Sequence, residues 1–542
     1  MACRFASDRF QGGAVKLQRK EADVLFHKTI LTISVGMFIA FGSLGCESDE
    51  ASSNQRVPLA DIAAALPYPS IWENFQDLTQ IPRPSHHESR VSAFIADFGR
   101  ALELETIVDD VGNVIIRKPA TSGMAGRPGV VLQAHMDMVP QKTAASTHNF
   151  ETDPIEAYVL DGWVYADGTT LGADDGIGVA MIMALLQADD VAHGPLEALF
   201  TVNEEDGFTG INALSPDVLV GRKLINLDNE LEGQILISSA GGVYVNVQAT
   251  YVEVATPGGM TGLQVTIDGL VGGHSGADIN KGRGSAHQLM ARLLVEAPAS
   301  LGLRLASLVG GNLSNAIPRA TSVVVALPTE QAAAFGVYLD DFGATVAGEL
   351  ADSDPGVAVK ATAIDLPAKV MEDSAQADLI GAVYDAPQGV FAMSADVPGL
   401  VETSGNIGVL SIGAGQFVAT VYVRSAVDLQ RDAEAERFAT VFEEAGATVT
   451  IEGAYSSWPP NTDSALLAIM KQAYLDLYGV AASVAAIHAG LECSVAGVKY
   501  PGIDMISVGP TTQSVHSPDE RLEVASVPKV YDQVVAALGD IK

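Results

Sequence analysis

From residue 58 to about 240, short apolar runs alternate with longer segments of helical spacing, which is the pattern of an α/β sheet. Val130–Gln133, Leu199–Val202 and Leu224–Leu227 read as buried strands, and Gly178–Ala188, apolar on every side, reads as a buried helix. Ser85-His86-His87-Glu88 has the spacing of a capping box ahead of a helix over Val91–Leu104, which makes His86 and His87 surface residues. Residues 242–454 differ in texture, with β-alternation over Val243–Val254 and Val421–Val427, many small residues, and acidic spacers such as Glu349–Asp354. From residue 455 the α/β pattern returns: a helix over Ser464–Tyr478, a strand over Met505–Val508, a loop bearing His516, and an amphipathic helix over Val524–Leu538. The expected fold is α/β, a sheet with helices on both faces and an inserted α+β lid domain. Segments 58–241 and 455–542 would form one catalytic domain around the insertion at 242–454.

The first residues follow other rules. Lys16, Arg19, Lys20 and Lys28 precede the apolar run Thr29–Gly45, which ends in Ser43-Leu44-Gly45-Cys46. A basic stretch, a short apolar core and small residues have the layout of an export signal, and the run falls short of the ~20 residues of a spanning helix. It resembles a bacterial lipoprotein signal, although Ser43 stands where such signals usually carry an aliphatic residue. That resemblance implies a signal peptide over 1–45, a lipid on Cys46, a polar tether over 46–57, and export with anchoring to a bacterial membrane; an uncleaved anchor is the rival reading.

Charge narrows the partners. With 31 basic against 66 acidic residues the net charge is −35, so the surface repels nucleic acid and offers no basic patch to anionic lipid. Cys3, Cys46 and Cys493 are too few for a disulfide framework and too scattered for a zinc ribbon; Cys493 reads as a small buried hydrophobe.

The candidate chemistry sits where strands end. His135 and Asp137 follow the first strand, Glu204 and Glu205 the second, Asp228 the third. Ligands gather outside the carboxyl ends of parallel strands, so these groups point to one site. Imidazole and carboxylate donors without thiolate suit catalytic zinc, manganese or cobalt, and two ions need a bridging carboxylate. The segments Ala134–Lys142 (AHMDMVPQK), Ala166–Gly178 (ADGTTLGADDGIG), His488–Cys493 (HAGLEC) and Ser507–Glu520 (SVGPTTQSVHSPDE) resemble the M20 metallopeptidase family, and within it the Xaa-His dipeptidase branch, across nearly all of 60–540.

The resemblance implies a pair of divalent ions, zinc foremost. His135 and Asp228 would bind one, Glu205 and His516 the other, with Asp174 bridging both. Asp137 would orient the His135 imidazole, and Glu204 would be the general base. It also implies a cis peptide at Asp174–Asp175. Asp175 stands where this branch often carries Asn, and either adds charge near the metals or sits in the turn.

On the substrate side, glycines around His274 in Gly272-Gly273-His274-Ser275-Gly276 suggest a turn and close backbone approach. Its imidazole is either a structural hydrogen-bonding group or, as the resemblance implies, the stabiliser of the oxyanion, with Asn315 and Arg424 holding the substrate carboxylate. His488 and Glu492 either line the pocket, with Glu492 meeting the substrate amine, or serve structure. The leading function is a two-metal dipeptidase for unblocked dipeptides, Xaa-His (carnosine-like) among them, with small peptides as partners and a homodimer left open. A broader tripeptidase or aminoacylase, and a non-catalytic peptide- or metal-binding lipoprotein, are the alternatives.

Overall fold

A computed structural model describes residues 56–542 apart from 396 and 398; the expected signal peptide, Cys46 and most of the tether lie outside the described residues. An eight-stranded mixed sheet runs in the order Glu105–Val108, Val114–Lys118, Leu196–Thr201, Val130–His135, Lys223–Asn226, Asp504–Ser507, Gln234–Ser239, Ser483–Ile487. Its central pairings are parallel, Val130–His135 lying between Leu196–Thr201 and Lys223–Asn226, while Val114–Lys118 joins antiparallel. Successive side chains of a strand face opposite ways. Val130, Leu132 and Ala134 therefore pack into one core, with the helices Pro69–Thr79, Ala173–Gln187, Ala465–Tyr478 and Val527–Asp540, and Val131 packs into another, with Leu491, Cys493 and Trp458. Both faces are covered, which is why these strands read as unbroken apolar runs.

A nine-stranded, wholly antiparallel sheet is built from residues between Gly241 and Tyr455. One face carries the helices Ala286–Glu296, Ala332–Glu349, Asp373–Asp385 and Asp428–Glu444 on a core that includes Val243, Val245 and Val247. The other face carries the half-buried Tyr244 and Asn246 and the exposed Gln248 of the same strand. Alternation in the sequence and one-sided packing in the structure are the same fact. A five-stranded sheet includes Trp163–Ala166 and Arg521–Glu523, tying the C-terminal segment to the first half of the chain.

Three local expectations change. The helix begins at Ser89 and runs to Ala101, and no capping box forms: Ser85 Oγ donates to Asp137, and Glu88 Oε1 accepts from His86 N and Asn203 N. Glu88 is drawn away because Asn203, at φ 51°, turns its N–H toward it. The buried helix is entered at Ala173, five residues before its predicted start, but Asp174 (ψ 110°) and Asp175 (ψ 31°) break the helical geometry, and the regular helix runs on from there. The sheet is mixed where a parallel one is the simplest reading, since β-hairpin pairing at one edge needs no helical crossover.

Candidate metal centre

Three parallel strands end side by side, so the residues following them converge. His135 closes Val130–His135 and is 1% exposed. Its Nε2 lies 3.0 Å from Asp174 Oδ1 and 3.6 Å from Asp228 Oδ1. His516, arriving from the C-terminal segment, places Nε2 3.2 Å from Asp174 Oδ2 and 2.9 Å from Glu205 Oε2. The two oxygens of Asp174 thus each meet a different histidine. Donor atoms of His135, Asp174 and Glu205 lie within 4.8 Å of one another, as do those of His135, Asp175 and Asp228.

Asp137, fully buried, is bound to this cluster from behind. Its Oδ1 is 3.3 Å from His135 Nδ1 and accepts from Glu204 N at 3.0 Å, while Oδ2 accepts from Ser85 Oγ at 2.8 Å and Glu205 N at 3.3 Å. One carboxylate therefore fixes an imidazole and the backbone of both glutamates. Asn203 and His516 both have φ in the left-handed region, 51° and 59°, the kind of backbone that surrounding contacts must enforce. The Asp174–Asp175 peptide is cis.

Electrostatics follow from burial. It pushes the Glu204 carboxyl well above its usual range, Glu205 up to about 7 and Asp228 up to about 6. Burial disfavours the His135 cation, but Asp228, Asp137 and Asp174 outweigh it and hold its pKa well above the ordinary value. Burial, then the Asp228 charge, pushes Asp175 well up. His135 N donates to its Oδ2 at 3.3 Å. So many buried carboxyls around two imidazoles, with Glu205 Oε1 buried and without a hydrogen-bond partner, fit divalent cations: oxygen and nitrogen donors, a bridging carboxylate, no thiolate.

The lid residues gather separately. His274 Nδ1 faces the N–H groups of Gly276 and Ala277 at 3.3 and 3.1 Å, which makes it the acceptor and leaves the proton on Nε2. Arg424 Nη2 lies 3.2 Å from that Nε2, and the guanidinium stacks 4.2 Å over the Tyr422 ring. Two donors thus face the same space. Burial and then Arg424 push His274 down to about 3, so its ring is neutral at neutral pH. Asn315 accepts from Ser275 N through its carbonyl at 2.8 Å, adjacent to His274. His488 shares a 2.8 Å hydrogen bond with Ser404 Oγ. A Cβ on Gly276 would stand 2.1 Å from His488 O, so the turn can press against the HAGLEC segment only as glycine.

Glu492 is tied to the strands that end at the cluster. It is 1% exposed, Gln133 Nε2 and Thr201 Oγ1 donate to its Oε2, and burial pushes it up to about 8. Cys493 is a free, fully buried thiol, as its apolar neighbours imply. Sequence reasoning gives Ser85 only a helix-capping role, places Glu520 only within a motif segment, and passes over Arg83 and Glu230. Arg83 sits between two prolines with no motif around it, and Glu520 is the last residue of SPDE. Glu230 follows Asp228 by two and lines a small cavity with Asp174, Asp228 and Thr512.

Residues 131–539 match peptidase family M20/M25/M40. A cytosol non-specific dipeptidase of Escherichia coli is 35% identical over 483 residues, 89% of this chain and 99% of that protein. The crystal structure of an aminoacylhistidine dipeptidase from Vibrio alginolyticus superposes with a TM-score of 0.76 at 39% identity, covering 89% of this chain and 98% of that one. A Staphylococcus aureus tripeptidase shares the fold at 16% identity and a TM-score of 0.54, over 88% and 99% of the two chains. The expectation of export and lipid anchoring is corrected by these likenesses. The Escherichia coli relative is named for the cytosol, and among the described residues no helix is long and apolar enough to cross a membrane.

Proposed function

This chain belongs to peptidase family M20/M25/M40, and on that premise we propose that it is a two-metal dipeptidase acting on unblocked dipeptides, Xaa-His dipeptides among them. The observation that carries the reading is Asp174, whose two oxygens each reach a different histidine from opposite ends of the chain. His135 and Asp228 would hold one ion and Glu205 and His516 the other, with zinc favoured by the nitrogen and oxygen donors and manganese or cobalt compatible with them. In this reading residues 58–241 and 455–542 form the catalytic domain and 242–454 the lid.

Bound there, a pair of divalent ions would polarise the scissile carbonyl and acidify a water. Glu204, adjacent to a ligand and held by Asp137 through its backbone, takes the proton from the attacking water and delivers it to the leaving amine. Its burial suits this shuttle, because it raises the carboxyl toward neutral pH. His274, neutral and with its proton on Nε2, donates to the oxygen of the tetrahedral carbon. Arg424, with Asn315 nearby, holds the substrate's terminal carboxylate, which separates the two facing donors by an acceptor.

Metal-stripped protein reloaded with zinc, manganese or cobalt should hydrolyse β-Ala-His, Gly-His and other free dipeptides, and should act far more slowly on N-acetylated ones. Binding of peptides without turnover under every metal would favour a peptide-binding protein. Equal turnover of blocked substrates would favour an aminoacylase.

A further inference from the structure

Glu520 is 2% exposed and takes no part in the proton transfers above. Its Oε2 accepts from Leu171 N at 2.8 Å and Gly172 N at 3.0 Å, and its Oε1 from Ala173 N at 2.8 Å and Asp174 N at 3.3 Å. These N–H groups form the turn that leads into the helix Ala173–Gln187, in which Asp174 (ψ 110°) and Asp175 (ψ 31°) depart from helical geometry, so the regular helix follows the turn. A buried carboxylate there gathers four backbone hydrogen bonds that no neighbouring side chain supplies. On the other side of the same turn, Arg83 donates to the carbonyls of Met136, Asp137 and Gly172. Among the charges that favour the Arg83 cation against its burial, Glu520 is the largest.

Glu520 also stands four residues after His516. His516 reaches Asp174 from a left-handed backbone, φ 59°, with a side chain 40% exposed, so packing alone does little to hold it. Between the two, Glu520 N closes a turn onto Ser517 O at 3.1 Å. The strand Arg521–Glu523 anchors the segment against Trp163–Ala166, which fixes where it lies but not its distance from the Asp174 turn. The carboxylate supplies that distance.

We infer that Glu520 is a positioning residue that sets His516 against Asp174, and so builds the metal position made by His516, Glu205 and Asp174. The other position shares Asp174 but takes His135 and Asp228 from the ends of strands that Glu520 does not touch. The inference rests on the two-metal reading. In Glu520→Gln an amide replaces one oxygen, and two of the four N–H groups then face a donor.

The test is titration of metal-stripped wild type and Glu520→Gln with cobalt, followed by visible absorption and calorimetry. Wild type should bind two equivalents. Glu520→Gln should keep one within about threefold and weaken the other by about 10–100-fold, the loss usual for groups that orient ligands. Its one-equivalent spectrum should coincide with that of His516→Ala. Two equivalents at unchanged affinity would overturn the role of Glu520 and leave the metal centre standing. Wild type binding none would remove the metal centre and the inference with it. If Glu520→Gln does not fold, amide exchange in the wild-type holoprotein decides: N–H groups 171–174 should exchange as slowly as the central strands, and fast exchange there refutes the anchor.

Discussion

At the edge of the eight-stranded sheet, functional side chains are tied to backbone. Asp137 takes N–H bonds from Glu204 and Glu205, and Glu520 takes four from the turn bearing Asp174. On the nine-stranded sheet, Arg424 rests on a tyrosine ring and beside His274, and His488 meets Ser404. The partners of Arg424 and His488 named here are side chains, which a substrate can replace, although His274 is itself fixed at Nδ1 by two backbone N–H groups. The difference teaches a division of labour: groups that must hold cations at fixed spacing are set by backbone donors, while groups that must receive a ligand are left able to exchange partners.

The comparison can be broken at four points. Asp174→Ala removes the shared oxygen donors and should lower kcat/KM for Gly-His by about 10⁴-fold or more, with both metal equivalents lost on elemental analysis. A variant that kept two equivalents would refute the bridge. Glu204→Ala should lower kcat by about 10²–10⁴-fold while metal content stays at the wild-type level, which separates the base from the ligands beside it. Arg424→Ala, on the exchangeable side, should raise KM by about 10–100-fold with a smaller change in kcat and none in metal content. An unchanged KM for free dipeptides would remove Arg424 from the substrate.

The smallest effect on turnover belongs to His287, inside the nine-stranded sheet's core, where Nδ1 meets Ile407 O at 3.0 Å. Burial pushes its pKa down to about 4 from the ordinary 6.5. Below 6.5 the unfolded chain binds the proton and the folded one does not, so its contribution is whole above that pH. It is lost as pH falls from 6.5 toward 4, on the order of 3 kcal/mol in all. Denaturant midpoints measured across that window should fall with pH, and His287→Asn should flatten the slope.

Much of the site was legible because its residues follow strands that announce themselves. Val130–His135, Leu196–Thr201 and Lys223–Asn226 are apolar runs buried on both faces, and polar residues directly after such runs have to lie at the sheet's edge. The motifs also carried the ligand order. What escaped had no local signal. Arg83 acts through its length, reaching three carbonyls from a Pro-flanked loop, and the Ser85–Glu88 capping box gave way to longer-range partners of both residues. For Glu492 the sequence left a pocket and a structural role open, and its burial against Gln133 and Thr201 had no local signal.

Periodicity and spacing, then, marked the strands, the change of texture between them and the polar groups that follow strand ends, because burial imposes its pattern residue by residue; the full ligand set came from the family resemblance. Only the tertiary structure decided that Asp174 offers one oxygen to each histidine, and that residue 520 binds the backbone of the turn at residues 171–174. Those relations join groups hundreds of positions apart, and distance in space is a property of the packed chain that no local pattern encodes.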